Sequence, residues 1–440
     1  MMTSRFPKIL LGSVVFASLA SAGASAQEVS IYGPVDTQED VQPLVVVPSE
    51  ATGIPPRLEQ GAVDALSTYP SLRSARASIE AADIDVNAAK WLWGPSVNVS
   101  ALTRDIRGIS PEITVVQPVY TFGKIESSID RAKAVKMVEI ARVGEIAQDI
   151  LLRLAQNYYE IVRTTQLEGA LEESLAEHQR LVDSIQRRVD RDVSPASDLE
   201  LAKSRLAQVR QQLAFNTAQR YAAQERFREL TGDDAAPGPP FEPYDPAVHH
   251  PDYQQAIDSA LLCNPTIERI AAEAAVADAD KRIAKASIYP ELGVQYRYDE
   301  FRGSQLGLAV TASTTSGLSP LIAADAARAR ADASFIDITV AQRQTREQLI
   351  LDLVENQAAR SRIESSAAAA DASENVTDSY LRQFIAGRRT WLDVMNAVRE
   401  AINARIGLTE SEVSAMSSAA RIRIRTCEWR PYLALTEIEE

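Results

Sequence analysis

Beyond its first 26 residues the 440-residue chain has no apolar run long enough to cross a membrane as a helix. That excludes a helical membrane protein and leaves a β-barrel open. Cysteine is nearly absent, with only Cys263 and Cys427, and histidine is limited to His178, His249 and His250. These residues form no cluster at metal-ligand spacing, so neither a metal nor a cofactor is expected. No nucleophile elbow and no glycine-rich phosphate loop appears either, and the chain reads as something other than an enzyme. Basic residues are in the minority, 46 against 60 acidic, a formal charge of −14. An acidic balance of that size argues against nucleic acid as a partner. One absence organises the rest: from Gly123 to about Asp190 there is no proline, and the only further glycines are Gly144 and Gly169.

That stretch predicts a single helix about 100 Å long, several times the diameter of a compact domain. It therefore needs partners along its length. Leu171, Leu175, Leu181, Val182, Ile185 and Val189 keep an apolar seam among Glu172, Glu173, Arg180, Asp183, Arg187 and Arg188. A turn, Arg191 to Pro195, follows, and Ser197 to Glu200 has the spacing of a capping box opening a second helix to about Leu230. The two helices form a hairpin that must lie against other hairpins.

The remaining chain is read in segments. Residues 1–26 carry Arg5, Lys8, an apolar stretch and a small-residue end at Ala24-Ser25-Ala26, the layout of a cleaved secretory signal. No cysteine sits at that junction to take a lipid. Cleavage leaves 44 basic against 60 acidic residues, a charge of −16. Residues 27–58, acidic and proline-containing, are expected to be a disordered leader. The first repeat, 59–236, holds a short helix from Gly61 that stops before Gly94-Pro95, then two alternating strands, then the long hairpin. The strands run through Val97, Val99 and Ala101, then through Ile113 and Val115 to Tyr120, with a break at Gly108 to Pro111. A proline-rich linker spans 237–254 and includes His249-His250. The second repeat covers 255–430 and a tail 431–440.

The two repeats share an offset of 195: Leu66 and Leu261, Pro70 and Pro265, Ala82 and Ala277, Asp83 and Asp278, Asp85 and Asp280, Lys90 and Lys285, Pro95 and Pro290. Strands recur through Leu292 to Tyr298 and Leu306 to Ala312, then a long helix from about Ala323 to Phe384. The expected fold is mainly α, with duplicated long hairpins and four transmembrane β-strands per chain. Four strands cannot close a barrel, which needs at least about 8. An oligomer could close one, and its long helices would then lie side by side as a tube.

The duplicated layout, the Asn264-Pro265 helix start, the strand exit Gln117-Pro118-Val119-Tyr120-Thr121-Phe122-Gly123 and the second turn Gly387-Arg388-Arg389-Thr390-Trp391-Leu392-Asp393-Val394 together resemble the TolC family of outer-membrane efflux proteins. The likeness spans residues 60–428 or so. It implies a homotrimeric α/β barrel-tunnel in the outer membrane, its tunnel projecting into the periplasm. Such a duct serves a tripartite efflux pump or a type I secretion system. Its partners are outer-membrane lipid, a periplasmic adaptor (membrane fusion) protein and, indirectly, an inner-membrane transporter. The competing reading is a periplasmic adaptor or coiled-coil scaffold without a channel.

The resemblance also implies a gate. Asp393 matches an aspartate ringed at the tunnel mouth, and Arg389 matches an arginine tied to an aspartate matched here by Asp198. Phe384 stands where a family tyrosine stands, and Asn396 where a second ring aspartate does; both departures remove a polar gate element. The adaptor-facing turns would be Asp192, Val193, Ser194 and Pro195, with Ala386, Gly387, Arg388 and Thr390. Against the gate stands a plainer reading: Asp198 and Asp393 both lie in a first helical turn, where the dipole favours an acid. His178, alone on a charged helix, is expected on a solvated face, and Trp391 between helices. Arg421, Arg423 and Arg425 suit a helix C-terminus. For Cys263 and Cys427 the exported setting leaves a disulfide or two buried thiols open. In the family the helices bearing them stack end to end, which makes a bridge a hypothesis here.

Overall fold

The computed structural model describes residues 53–103, 109–232, 237–299, 302–312 and 319–432. The signal and nearly all of the leader, the two strand connections and the last eight residues of the tail lie outside the described residues.

Helix α1, Pro56–Thr68, begins earlier than Gly61 and inside the stretch read as leader, because Pro56 sits at its first position with its φ already set for a helix. It buries Leu58, Ala62, Ala65 and Leu66. Tyr69 is extended, as a residue before proline prefers, and Pro70 starts α2, Pro70–Lys90. The single short helix expected is thus two. The same punctuation recurs at α5, Tyr253–Cys263, and α6, Pro265–Ala286, where Asn264 Oδ1 accepts the Thr266 N–H at 3.0 Å.

The long helix α3, Lys124–Val189, and its counterpart α7, Ser319–Ile385, run for 66 and 67 residues. Each turns back as α4, Ala196–Thr231, or α8, Trp391–Arg425. The capping box expected at Ser197 and Glu200 is not formed: Pro195 is the N-cap and makes no side-chain bond, since Ser197 already lies inside the helix. The spine is α3, which packs against α1, α2, α4, α6 and α8. Gly144 makes one of these contacts close, because a Cβ there would stand 3.0 Å from Pro265 Cβ at the start of α6. Tyr432 donates to the Gly144 carbonyl at 3.1 Å, so the first residues of the tail are part of the core.

Strands β1, Ser96–Thr103, β2, Ile109–Tyr120, β3, Glu291–Asp299, and β4, Gly303–Thr311, form one antiparallel sheet in chain order. β2 runs through Pro111, where a break was expected. Pro111 is paired to Ala101 on one side only, since β3 joins from Glu112, and a proline is tolerated where one ladder is missing. Register carries one apolar row across all four strands, Val97, Val115, Tyr296 and Leu306, beside Val99, Ile113 and Tyr298. Val97 is 64% exposed, Leu306 77% and Leu308 87%, so this face is open in one chain. The alternate residues, Asn98, Thr114, Arg297 and Gln305, share the opposite face. β1 and β4 each leave one edge unpaired.

Two further features fix the middle of the chain. Cys263 and Cys427 are joined in a disulfide with a Cα separation of 6.3 Å, tying the end of α5 to the residue pair after α8. Asp352 on α7 accepts from Arg421 at 2.8 Å and from Arg425 at 2.7 Å, while Arg423 donates to the Val248 carbonyl at 2.6 Å. These arginines therefore hold α8 to its neighbours rather than its own terminal carbonyls.

Candidate functional site at the hairpin tips

Both long helices end in the same hydrogen-bonded turn. Val193 N–H reaches the Arg188 carbonyl at 2.9 Å, and Arg388 N–H the Gln383 carbonyl at 2.8 Å. Such a turn needs a left-handed residue, supplied by Asp192 at φ 57° and Gly387 at φ 71°. The residues expected to meet an adaptor, Asp192, Val193, Pro195, Ala386, Gly387, Arg388 and Thr390, are exposed, and Ser194 is half-buried.

Behind the turns one apolar cluster joins the hairpins. Leu181, Val182, Ile185, Leu199, Ala202 and Leu206 of the first meet Phe384, Trp391, Val394, Met395 and Val398 of the second. Trp391 is buried, as its place between helices requires. His178 is buried as well, at 4% exposure, which overturns the solvated face expected of it. Its Nδ1 lies 2.8 Å from the Ser174 carbonyl, and burial pushes the imidazole pKa down, so it sits neutral in the wall.

The polar tip residues keep to their own hairpin. Asp393 Oδ2 accepts from the Thr390 hydroxyl at 2.8 Å and the Thr390 N–H at 3.3 Å, forming the capping box of α8. Arg389 Nη1 stands 3.9 Å from that carboxylate, and Arg389 Nε donates to Gln383 Oε1 at 3.2 Å. Its guanidinium lies 4.0 Å above the Tyr380 ring. Asp198 is half-buried in the first turn of α4, and among the described residues no ion pair joins it to Arg389. Asn396 is exposed and accepts from Arg399 at 3.3 Å. Phe384 is buried, and Arg188 from the other hairpin lies 5.2 Å over its ring.

Arg188 and Tyr380 were not singled out from the sequence. Tyr380 and Phe384 are four residues apart, hence on one helix face, and that spacing was the available signal.

Above the cluster a cavity of about 290 Å³ opens between α3, α7 and α8. Glu173 and Glu177 line it from α3, Glu374 and Asp378 from α7, and Arg405 from α8. Burial raises the Glu177 pKa, and Glu173, Asp378 and Glu374 raise it further against the pull of Arg180.

Residues 62–233 match the family model described as outer membrane efflux protein. No curated protein sequence matches the chain. Among solved structures, a membrane protein from Pseudomonas aeruginosa is similar at TM-score 0.76 and 15% identity, covering 88% of this chain and 97% of its own. The outer membrane protein VceC of Vibrio cholerae follows at TM-score 0.72 and 16% identity, covering 84% and 96%. The open-state MtrE outer membrane channel of Neisseria gonorrhoeae does so at 0.70 and 15%, covering 92% and 97%. At these identities the structures show a shared fold. Residues 62–233 thus carry the pattern of the outer membrane efflux protein family, and the described residues carry the fold of these channels.

Proposed function

We propose that three copies of this chain form the exit duct of a tripartite export machine, a barrel in the outer membrane continued by a helical tunnel through the periplasm. The observation that carries the reading is the four-stranded sheet with one continuous apolar face and two unpaired edges. In water both are liabilities; in a closed barrel the edges pair with neighbouring copies and the face meets lipid. Three chains supply twelve strands, enough to close, where four are not. Long strips of α7 point the same way, with Ile336 64% and Leu351 64% exposed until another helix covers them.

On this reading the tips close the tunnel at its periplasmic end. Asp393, Asn396, Arg389, Asp198 and Phe384 line or brace the constriction, and the two turns meet a periplasmic adaptor that links the duct to an inner-membrane transporter. Cargo, whether small molecules or polypeptides, is chosen by those partners.

Single-channel recording of the purified oligomer in a planar bilayer tests the duct. Small cation-selective currents from a trimer are expected. A folded oligomer that neither inserts nor conducts would overturn the reading in favour of an adaptor or scaffold.

A further inference from the structure

The two hairpins of one chain meet at their tips without a polar bond. Between residues 179–206 and 376–399, no hydrogen bond or ion pair among the described residues crosses from one hairpin to the other. What crosses is the apolar cluster and one cation: the Arg188 guanidinium, 5.2 Å over the Phe384 ring.

We propose that Arg188 is the positioning residue of the tip, holding the second hairpin against the first by stacking on Phe384. The meaning of that contact as a gate rests on the duct reading; the contact itself does not. Three observations carry the inference. Arg188 forms no ion pair among the described residues, although Asp190, Asp192 and Asp198 are near in sequence, so the ring is the partner of its guanidinium there. Phe384 is 6% exposed, so the stack sits at the edge of a dry cluster, where a cation over an aromatic face is strongest. The repeat also makes the pair asymmetric. At an offset of 195, Arg188 corresponds to Gln383 and Phe384 to Val189, so each hairpin supplies one half of a contact that its own repeat partner could not form.

The chemistry differs from an ion-pair latch. A carboxylate–guanidinium link at an exposed tip is screened by salt. A ring and its packing are much less so. Closure at this tip should therefore persist at high ionic strength.

The test uses the full chain in two readouts. Spin labels at the exposed turn positions Val193 and Ala386 report the spacing of the two tips, whether or not the protein conducts. Bilayer recording reports the gate. Arg188→Gln and Phe384→Leu, which keeps an apolar side chain in the cluster, are each expected to widen the distance distribution and to raise the open-to-closed ratio about 2- to 30-fold. Arg188→Lys should recover part of the effect, and the double variant should be no worse than either single one. Unchanged spacing in Arg188→Gln, or fully additive effects in the double variant, would overturn the proposal. A wild type that does not conduct removes the duct reading while the spacing measurement still decides the contact.

Discussion

Asp192 and Gly387 hold the same left-handed position, φ 57° and 71°, in turns that lie 195 residues apart. Duplication preserved the backbone of the turn, and only the second copy carries the residue without a side-chain penalty there. Nothing lies within 4 Å of a Cβ built on Gly387, so a substitution there tests backbone strain alone. Gly387→Ala is expected to cost about 1 kcal/mol and Asp192→Gly to be neutral or stabilising. Thermal melts followed by circular dichroism check both, and equal effects of the same sign would contradict the assignment.

Glu177 gives the packing of α3 against α7 and α8 a pH dependence. Its pKa is raised in the fold, first by burial and then by Glu173, one turn away on the same helix, and by Asp378 and Glu374 on α7. A raised carboxyl contributes stability that is complete below the unfolded value, about 4.3, and is lost as pH rises through the folded value. The stability difference between Glu177→Gln and the parent should therefore grow from pH 4 to pH 7, in favour of the variant. Denaturation at several pH values measures it, and a constant difference would rule out the coupling.

Thr390 and Asp393 separate a structural role from a charge. Thr390→Ala removes a cap and should cost about 1 kcal/mol without changing ion selectivity. Asp393→Asn keeps an acceptor for the cap while deleting a charge that three copies would bring together. A fall in cation selectivity with little change in stability is the outcome that the constriction reading requires. Reversal potentials in a salt gradient decide between them.

The disulfide predicts a thiol count. Alkylation of the denatured, unreduced chain should add no mass, and two adducts should appear after reduction. With the cysteines 164 positions apart, loop closure in the unfolded chain contributes about 5 kcal/mol on a chain-entropy argument. Reduction should accordingly lower the unfolding temperature, and an unaffected transition would show that the bridge stabilises little.

The long helices were legible because nearly seventy residues without proline permit little else, and the repeat was legible because Pro70, Pro95, Pro265 and Pro290 punctuate both halves alike. The strands were legible from alternation alone, and their register then showed that the alternating residues share a face. What was hidden depended on contacts between distant segments. His178 lies among charged neighbours in the chain yet is buried at a helix interface, and periodicity over a 66-residue helix blurs which face meets which partner. Ser197 had the right spacing for a cap, but Pro195 had already started the helix. Arg188 looked like one more surface charge until α7 placed a ring beneath it.

Asp352 clamps α7 to α8 far from the tip, through Arg421 and Arg425. Phe384 lies 32 residues further along the same helix, or about 48 Å away. Length turns that helix into a lever with a fixed fulcrum. A swing of about 10° at the clamp carries the ring through about 8 Å by the helix rise alone, enough to leave the cluster. A small rotation at the clamp thus becomes a large displacement at the tip, where the apolar cluster and the stack on Phe384 part together.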